Sequence, residues 1–487
     1  LRMSEDGEEN LITAGKVVHY NKSSGTVGNP KRVPLTEEAF QVFQKYNGPY
    51  RMGLIAREIG EDWINGRNMS IAESTAEKHF TKSGVSYGAL SVKMIAEFRP
   101  YLEMMFTSPD EAIFPEPETN TRYLHARFGL MDRSLTSIAA NFLGFLQEVY
   151  RYMEQNWELI VNDIEKGTID PSIKMSDQVR ERLLKKIKPM PERAEELREI
   201  FKQGFDEPVV PKLWPEARFL TGVGSGGFKV YADKLKEKYM GENIARYFTG
   251  INASEGMVSV PFELNNEKSV PVPDSMFYEF LPTDADDDFS KIVTIDQLET
   301  GREYEVIVTN LSGFYRYRMR DAVKIAGKYK NLPILEFIGR IDQTVSIMGE
   351  KTTEVALRTA AEDTAKQLGF DMIDFTVYPD VEHVPPRYTY FMEIESLPEG
   401  MKAKEIRFFL ERNLAKANPS MGDKVAKGIC APTKLNILEP ETYSLYRDLM
   451  IMKGIAPAQL KPVHIIRNEL QRKFFFSQTE YGVELVK

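Results

Sequence analysis

The C-terminal part of the chain alternates between two hydrophobic periods, and this alternation constrains the fold more than any other feature. Some segments carry apolar residues at helical spacing, and the segments between them are short runs typical of strands. In chain order, the segments are a helix over 355–368, strands over 374–378 and 388–394, a helix over 403–415 and a strand over 434–437. The sequence therefore predicts a C-terminal α+β unit.

The N-terminal part combines helices with clustered strands. Apolar residues between 141 and 164 recur at helical spacing, which predicts a long helix with one buried face. The densely charged segment 176–203 contains two prolines and predicts a pair of solvated helices. A glycine-rich loop follows an expected strand within 209–225.

Four further strand-like runs precede the C-terminal unit, separated by glycine and proline turns. They cover 304–308, 314–319, 322–325 and 335–338. We therefore predict an α/β protein with a large N-terminal α/β domain of mixed sheets over 1–340. A smaller α+β domain would follow over 341–487, with the boundary near 340–343.

Composition narrows the function classes. The 487 residues include 63 basic and 72 acidic side chains, a net charge of −9, and no long basic run, which argues against nucleic-acid binding. The single cysteine, Cys430, excludes an internal disulfide and a cysteine metal cage and suits the reducing cytoplasm. No segment approaches the roughly 18 apolar residues of a membrane span.

The sequence start shows no secretory signal, because its first ten residues are polar and acidic. Without such a signal, the Asn-x-Ser sequons are interpreted as chance occurrences. They begin at Asn21, Asn68, Asn252 and Asn310. We expect a cytoplasmic protein that binds neither membrane nor nucleic acid.

The segment 22–31, Lys-Ser-Ser-Gly-Thr-Val-Gly-Asn-Pro-Lys, carries the strongest local signal. Its hydroxyls, backbone N–H groups and lysines are the donors that polyphosphate oxygens need, and its glycines allow close approach of the backbone. The spacing of a Walker loop is absent. Taken alone, the segment fits a phosphate-binding loop and a surface hairpin equally well.

A second segment, 249–256, places Glu255 after small residues at the end of an expected strand. A glutamate there would supply one carboxylate to Mg²⁺, which keeps most of its waters in proteins. A simple polar turn explains the same residues, and on this segment alone it is the better explanation.

A third segment, 314–321, alternates aromatic residues with arginines. It predicts a strand over 314–318 with Asp321 just beyond the strand end. A carboxylate there would accept hydrogen bonds from both hydroxyls of a ribose. The alternative is an ion pair between Asp321 and a neighbouring arginine at the edge of a sheet.

A fourth segment, 337–351, is a strand, a Gly-Arg turn, a short second strand and a Gly-Glu-Lys turn that leads into a helix. An ordinary hairpin between two sheets would share this outline. The pattern Gly-Arg-Ile-Asp followed by Val-Ser-Ile-Met-Gly-Glu-Lys is more specific. It resembles the hinge motif of adenylate-forming enzymes, which include acyl-CoA synthetases, nonribosomal adenylation domains and luciferases.

The four segments together resemble one narrower family. Ser-Ser-Gly-Thr, Ala-Ser-Glu and Tyr-Arg-Tyr-Arg before Asp321 occur in the order found in auxin-responsive acyl acid amido synthetases, the Gretchen Hagen family. The stretches 123–130 and 157–167 are also similar, so the resemblance runs from about residue 20 to 465.

The resemblance implies that the protein uses ATP and Mg²⁺ and assigns roles to the matching residues. The nucleotide-binding residues would be Ser23, Ser24, Gly25, Thr26, Ser254, Glu255, Asp321 and Arg340. Glu255 would also hold the metal and, with Lys351 near the α-phosphate, serve catalysis. Asp342 would lie at the hinge, at 340–343, about which a mobile C-terminal α+β domain rotates, and Arg51 would bind the acyl substrate.

Two positions depart from the family pattern. Ile251 occupies a position that is often aromatic, so an adenine there would meet an aliphatic side chain. Arg320 occupies a position before the aspartate that is usually glycine.

The implied reaction joins a small carboxylic acid to an amine such as an amino acid. The carboxylate attacks the α-phosphorus of ATP, and the amine then attacks the acyl-adenylate to give an amide and AMP. No nucleophilic side chain is needed, and His125, in an apolar stretch, is better explained as a core histidine than as a base.

Two alternatives stay open at this point. One is a thioester-forming ligase with coenzyme A or a carrier thiol as acceptor, and the other is a non-catalytic nucleotide-binding protein. The acid, the acceptor and the oligomeric state are not determined by the sequence.

Overall fold

The computed structural model divides the chain into two compact units. The first comprises Leu1–Met319, Lys324–Phe337 and Ala456–Gln459, and the second Arg320–Val323, Ile338–Ile455 and Leu460–Lys487. The structure describes residues 2–4, 6–8, 11–22, 31–72, 74, 79–224, 229–285, 288–341, 345, 347–348, 350, 352–398, 400–455, 457 and 460–483. The division after residue 340 that the sequence suggests remains a prediction.

Helices occur throughout the described chain. They are α1 Glu37–Lys45, α2 Arg51–Ile59, α3 Leu90–Glu97, α4 Leu102–Met105, α5 Asp110–Ile113, α6 Thr121–Met131, α7 Leu143–Lys166, α8 Asp177–Leu184, α9 Pro191–Phe201, α10 Val210–Leu213, α11 Lys229–Leu235, α12 Glu354–Leu368, α13 Ala403–Ala417, α14 Pro419–Ala426, α15 Thr442–Met452 and α16 Glu469–Ser477.

The strands form several sheets. They are β1 Val17–Lys22, β2 Arg32–Thr36, β3 Arg67–Ile71, β4 His79–Phe80, β5 Ser86–Gly88, β6 Leu135–Phe142, β7 Phe219–Val223, β8 Ala245–Phe248, β9 Asn252–Ala253, β10 Gly256–Met257, β11 Ser259–Pro261, β12 Ser269–Pro271, β13 Met276–Pro282, β14 Val293–Thr294, β15 Glu303–Asn310, β16 Tyr317–Tyr329, β17 Leu332–Arg340, β18 Asp371–Asp380, β19 Arg387–Ser396, β20 Lys434–Leu438 and β21 Thr479–Val483.

One sheet of the first unit is wholly parallel, with strand order β3-β6-β7-β8. Helices cover both faces, as parallel sheets require. Leu54 and Ile55 of α2 pack with Phe219 and Tyr247 on one face, whereas the core on the other face includes Leu220. The carboxyl ends of these strands share one edge, the usual place for ligands in α/β sheets.

The other sheets are mixed or antiparallel. A four-stranded sheet has the order β2-β1-β5-β4, and a seven-stranded sheet has the order β11-β12-β17-β16-β15-β13-β14. Strands β9 and β10 form a separate hairpin. The prediction of mixed sheets in an α/β protein is confirmed.

The long helix predicted over 141–164 is α7, and its buried side chains include Leu146, Met153 and Ile160. The family-like stretches 123–130 and 157–167 fall on α6 and α7. Tyr123 Oη donates to Asp163 Oδ2 over 2.7 Å, and Arg127 Nη1 donates to Tyr123 Oη over 3.1 Å. These stretches therefore stabilise the core of the first unit.

The second unit confirms the alternation seen in the sequence. Its sheet has the order β18-β19-β20-β21, and α12 and α13 pack with it through the buried Leu357, Leu410 and Tyr390. The five predicted segments correspond to α12, β18, β19, α13 and β20.

The prediction for the third motif is wrong in one respect. A strand over 314–318 ending before Asp321 is not formed, because β16 begins at Tyr317 and continues to Tyr329. Asp321 therefore lies inside a strand. In the part of the chain that the structure describes, no helix has the length and apolar character needed to cross a membrane.

Candidate active site

The first motif joins two paired strands. β1 and β2 are antiparallel, and Lys22 lies opposite Arg32. Ser23, Ser24, Gly25 and Thr26 lie outside the described residues.

The second motif is a hairpin whose tip carries the predicted metal ligand. Gly256 of β10 pairs with Ala253 of β9, so Ser254 and Glu255 form a two-residue turn. The segment therefore forms a polar turn, and the strand expected to end at Glu255 ends at Ala253. The metal role of Glu255 stays a prediction. Gly250 opens the loop with φ +69°, and a Cβ there would lie 2.4 Å from the Ser259 carbonyl oxygen, so only glycine fits.

Two partly buried amide contacts hold this turn from distant parts of the first unit. Asn21 Nδ2, at the end of β1, donates to the Ser254 carbonyl oxygen over 2.8 Å. Asn310 Nδ2, at the end of β15, donates to the Glu255 carbonyl oxygen over 2.6 Å. The strand that enters the first motif and the strand that precedes the third motif thus meet at the second motif.

The Glu255 side chain is left available by this arrangement. The backbone carbonyl oxygen of Glu255 accepts the hydrogen bond from Asn310, but among the described residues no group pairs with the partly exposed Glu255 carboxylate. A single accessible carboxylate suits Mg²⁺, which takes few protein ligands and keeps water or substrate oxygens. No group of three metal-ligating side chains occurs within the described ranges.

In the third motif, Asp321 Oδ1 lies 3.2 Å from Arg340 Nε. Two of the motif's arginines have other partners: Arg316 Nε donates to Glu279 Oε2 over 2.9 Å, and Arg318 Nε donates to Glu305 Oε1 over 3.0 Å. An ion pair does therefore form at Asp321, but with the arginine of the fourth motif. Two predicted nucleotide-binding residues thus lie side by side in the second unit.

The backbone at Arg320 explains why the family pattern has glycine there. Arg320 has φ +63°, in the left-handed region that favours glycine. An L-residue pays about 1–2 kcal/mol for such a conformation. The chain keeps this conformation although it carries an arginine.

In the fourth motif, the turn that precedes the predicted catalytic lysine is anchored by Glu350. The buried Glu350 carboxylate accepts hydrogen bonds from the N–H groups of Ile347 and Met348, each over 2.8 Å, and from Tyr388 Oη. Burial opposes ionisation of Glu350, but these hydrogen bonds outweigh it and lower the pKa of its carboxyl group. Asp342 and Lys351 lie outside the described residues.

Arg51, the predicted acyl-substrate residue, begins α2 after an irregular turn. Residues Tyr46–Tyr50 form a π-helical turn that contains Pro49, and such turns are frequent at functional sites. Arg51 is partly buried, and burial lowers the pKa of its guanidinium. Tyr247 of β8 is its electrostatic neighbour.

His125 is part of the core, as the sequence favours. It is buried in α6, and its Nδ1 lies 2.8 Å from Ser108 Oγ. Sequence reasoning missed Asn21, Asn310 and Tyr247. The asparagines were visible only as sequons, and Tyr247 was visible only as an aromatic residue in a strand.

Models of three domains of one family match the chain in order. The GH3 family N-terminal domain matches residues 2–244, the central domain 269–340 and the C-terminal domain 355–470. The jasmonoyl–L-amino acid synthetase JAR4 of Nicotiana attenuata is 28% identical, over 94% of this chain and 81% of the relative. The 4-substituted benzoates-glutamate ligase GH3.12 of Arabidopsis thaliana is 25% identical, over 96% of this chain and 84% of the relative.

Solved structures share the fold. AtGH3.15 acyl acid amido synthetase in complex with 2,4-DB matches with a TM-score of 0.83 over 99% of this chain and 85% of that chain, at 22% identity. A 2-hydroxyisobutyryl-CoA ligase in the postadenylation state matches with a TM-score of 0.55 over 97% of this chain and 80% of that chain, at 12% identity. Because the family's three domains match in order from residue 2 to residue 470, the chain belongs to the GH3 family.

Proposed function

We propose that this chain is an ATP-dependent acyl acid amido synthetase. It activates a small carboxylic acid as an acyl-adenylate and transfers the acyl group to an amine such as an amino acid. Relatives named as amido synthetases or amino-acid ligases support this proposal. The observation that carries it is the convergence of Asn21 and Asn310 on the Ser254–Glu255 turn, which brings the strands that lead into the first and third motifs to the second motif.

The first half-reaction brings two anions together. Unit charges about 4 Å apart repel by roughly 4 kcal/mol at an effective dielectric constant of 20. In the proposal, Ser23, Ser24, Gly25 and Thr26 donate to the phosphates, and Lys351 neutralises charge near the α-phosphate. Fixed donors of this kind stabilise a developing charge without reorganising.

The accessible Glu255 carboxylate fits Mg²⁺. When bound, the ion neutralises phosphate charge and polarises the phosphoryl oxygens. Glu255 would hold it from the hairpin tip, because the amide contacts to Ser254 and Glu255 fix the backbone there.

Asp321 and Arg340 are further proposed nucleotide-binding residues. Asp321 accepts from the ribose hydroxyls, and Arg340, 3.2 Å away, is its ion-pair partner. Asp342 serves as the hinge about which the C-terminal domain rotates between the half-reactions. Arg51 binds the acyl carboxylate. The cytoplasmic location remains a prediction.

The proposal is tested by acid-dependent pyrophosphate release. ATP and Mg²⁺ are incubated with indolyl, aryl and fatty acids, and Lys351→Ala serves as the control. Release that depends on one acid class and is lost in the variant supports adenylation. No release with any acid favours the non-catalytic alternative.

The acceptor is tested separately. Amino acids and coenzyme A are compared in the same assay, with mass-spectrometric detection of the product. An amide supports the proposal, and a thioester would establish the alternative ligase. The relatives' names favour the amide, whereas likeness to the 2-hydroxyisobutyryl-CoA ligase reflects shared fold alone.

A further inference from the structure

The amide oxygen of Asn21, beside the Ser254–Glu255 turn, is buried without a partner. Asn21 is the last residue but one of β1 and is 1% exposed, and its Nδ2 donates to the Ser254 carbonyl oxygen over 2.8 Å. A backbone carbonyl only accepts hydrogen bonds, so the amide nitrogen and not the oxygen must face Ser254. The Asn21 Oδ1 atom is therefore left over, and no described residue donates a hydrogen bond to it.

Asn310 makes the same kind of contact with the turn but has a satisfied oxygen. Its Nδ2 donates to the Glu255 carbonyl oxygen over 2.6 Å. Its Oδ1 accepts from the N–H groups of Ser312 and Phe314, over 3.1 and 3.0 Å. Of the two asparagines that hold this turn, Asn21 alone keeps an unused acceptor. Buried polar groups are normally paired, so the unused oxygen indicates a partner that is not part of the protein.

The chemistry of an amide oxygen limits what this partner is. The oxygen accepts hydrogen bonds and does not donate them, so phosphate and carboxylate oxygens are excluded as partners. A water molecule and a substrate ammonium group both satisfy it. A water bound to a divalent cation is an especially good donor, because the ion polarises its O–H bonds.

The position of Asn21 favours a water on the proposed Mg²⁺. The carbonyl group that Asn21 holds belongs to the residue directly before Glu255, whose carboxylate has no described partner. Along the chain, Asn21 directly precedes the segment 22–31, which is proposed to bind the phosphates. A magnesium ion held by one carboxylate and by phosphate oxygens keeps several waters, and these waters need acceptors.

We propose that Asn21 Oδ1 accepts a hydrogen bond from a water bound to Mg²⁺, which makes Asn21 a positioning residue of the metal site. This inference rests on the proposed function and adds an acceptor outside the ion's own ligands. Asn21 then has two roles. Its nitrogen holds the turn that carries Glu255, and its oxygen orients a water of the ion. Asn310 has the first role alone.

The test measures the contribution of Mg²⁺ to nucleotide binding, without turnover. The probe is α,β-methylene-ATP, which cannot release pyrophosphate. Its Kd is measured by isothermal titration with EDTA and with saturating Mg²⁺, and the ratio of the first Kd to the second reports the ion's contribution. Residues that orient metal ligands from outside typically contribute about tenfold to a hundredfold to metal affinity. Asn21→Leu should therefore lower this ratio about tenfold or more.

Two variants separate the oxygen's role from the support of the turn. Asn21→Asp loses the N–H donor but keeps an acceptor oxygen, so its Kd ratio stays at or above that of the wild type. Asn310→Leu is the matched control. It loses a donor to the same turn and two further hydrogen bonds, so its melting temperature falls more than that of Asn21→Leu, whereas its Kd ratio falls less.

The outcomes that contradict the inference are distinct from failure of the proposed function. Equal Kd ratios in Asn21→Leu and Asn21→Asp overturn it, because both variants lose only the support of the turn in common. A raised KM for the amino acid in Asn21→Leu, with an unchanged Kd ratio, assigns the oxygen to the substrate amine and also overturns it. Both results leave the proposed function standing. A wild type that binds the nucleotide under neither condition overturns both.

Discussion

A buried histidine that lies between two carboxylates in the second unit should make the protein lose stability at alkaline pH. His464 is 3% exposed, its Nδ1 lies 2.8 Å from Glu354 Oε1, and its Nε2 lies 3.1 Å from Asp374 Oδ1. Its ring stacks on Phe375 with centroids 4.5 Å apart. Burial disfavours the charged ring, but the two carboxylates outweigh it and raise the pKa of His464 from 6.5 to about 10.

The sign and the size follow from proton linkage. A folded pKa above the unfolded value gives stability that is fully present below pH 6.5 and is lost as pH rises through about 10. One proton held only by the folded state changes the free energy of unfolding by about 1.4 kcal/mol per pH unit. Between pH 7 and pH 9 we expect a loss of about 2 to 2.5 kcal/mol.

Urea unfolding at pH 7, 8 and 9 measures this loss. All three tryptophans, Trp63, Trp157 and Trp214, belong to the first unit, so tryptophan fluorescence reports on that unit and far-ultraviolet circular dichroism reports on both. The loss should be present in the dichroism transition and absent in His464→Gln. His19→Gln is the matched control: burial lowers the pKa of His19 to about 4, so it does not titrate in this range. Equal pH slopes in the wild type and His464→Gln would refute the reasoning.

Three further substitutions test the site. Glu255→Gln should lower pyrophosphate release about tenfold or more and raise the Mg²⁺ concentration that the enzyme requires. Its melting temperature should not fall, since the Glu255 carboxylate has no described partner. Full pyrophosphate release by this variant at low Mg²⁺ would contradict the metal role. The free energy of unfolding by urea should be about 1 kcal/mol higher for Arg320→Gly than for Arg320→Ala, because only glycine adopts the positive φ without strain. Equal free energies would contradict the strain. Tyr388→Phe should lower the free energy of unfolding by about 1.5–3 kcal/mol by removing a bond to the Glu350 carboxylate. Tyr390→Phe, which loses a neutral bond to the Leu357 carbonyl oxygen, should cost about half as much.

Elements with a sustained hydrophobic period were predictable from the sequence. The helix α7 and the alternating elements of the second unit follow from apolar spacing, because burial of one face determines their conformation. The strand β16 was predicted with wrong bounds. Arg316 has φ +47° just before β16 begins, and Arg320 has φ +63° inside it, and a side-chain pattern does not report φ.

The contacts that assemble the site were not predictable from the sequence. Asn21 and Ser254 are 233 residues apart, and Asn310 and Glu255 are 55 apart, so only the tertiary fold brings them together. The residue types of the motifs were informative because phosphate, ribose and Mg²⁺ each need particular donors or acceptors. The ion pair of Asp321 with Arg340 was not predictable, because two arginines nearer in sequence, Arg316 and Arg318, bind Glu279 and Glu305 instead.

The most direct test of the central claim follows the carboxylate oxygen. An acid labelled with heavy oxygen in its carboxylate is incubated with the protein, ATP, Mg²⁺ and an amino acid, and the products are examined by mass spectrometry. Attack on the α-phosphorus followed by amide formation leaves one labelled oxygen in AMP and one in the amide. That result is the one we predict. Unlabelled AMP, or label in inorganic phosphate with ADP as the second product, would contradict an acyl-adenylate intermediate.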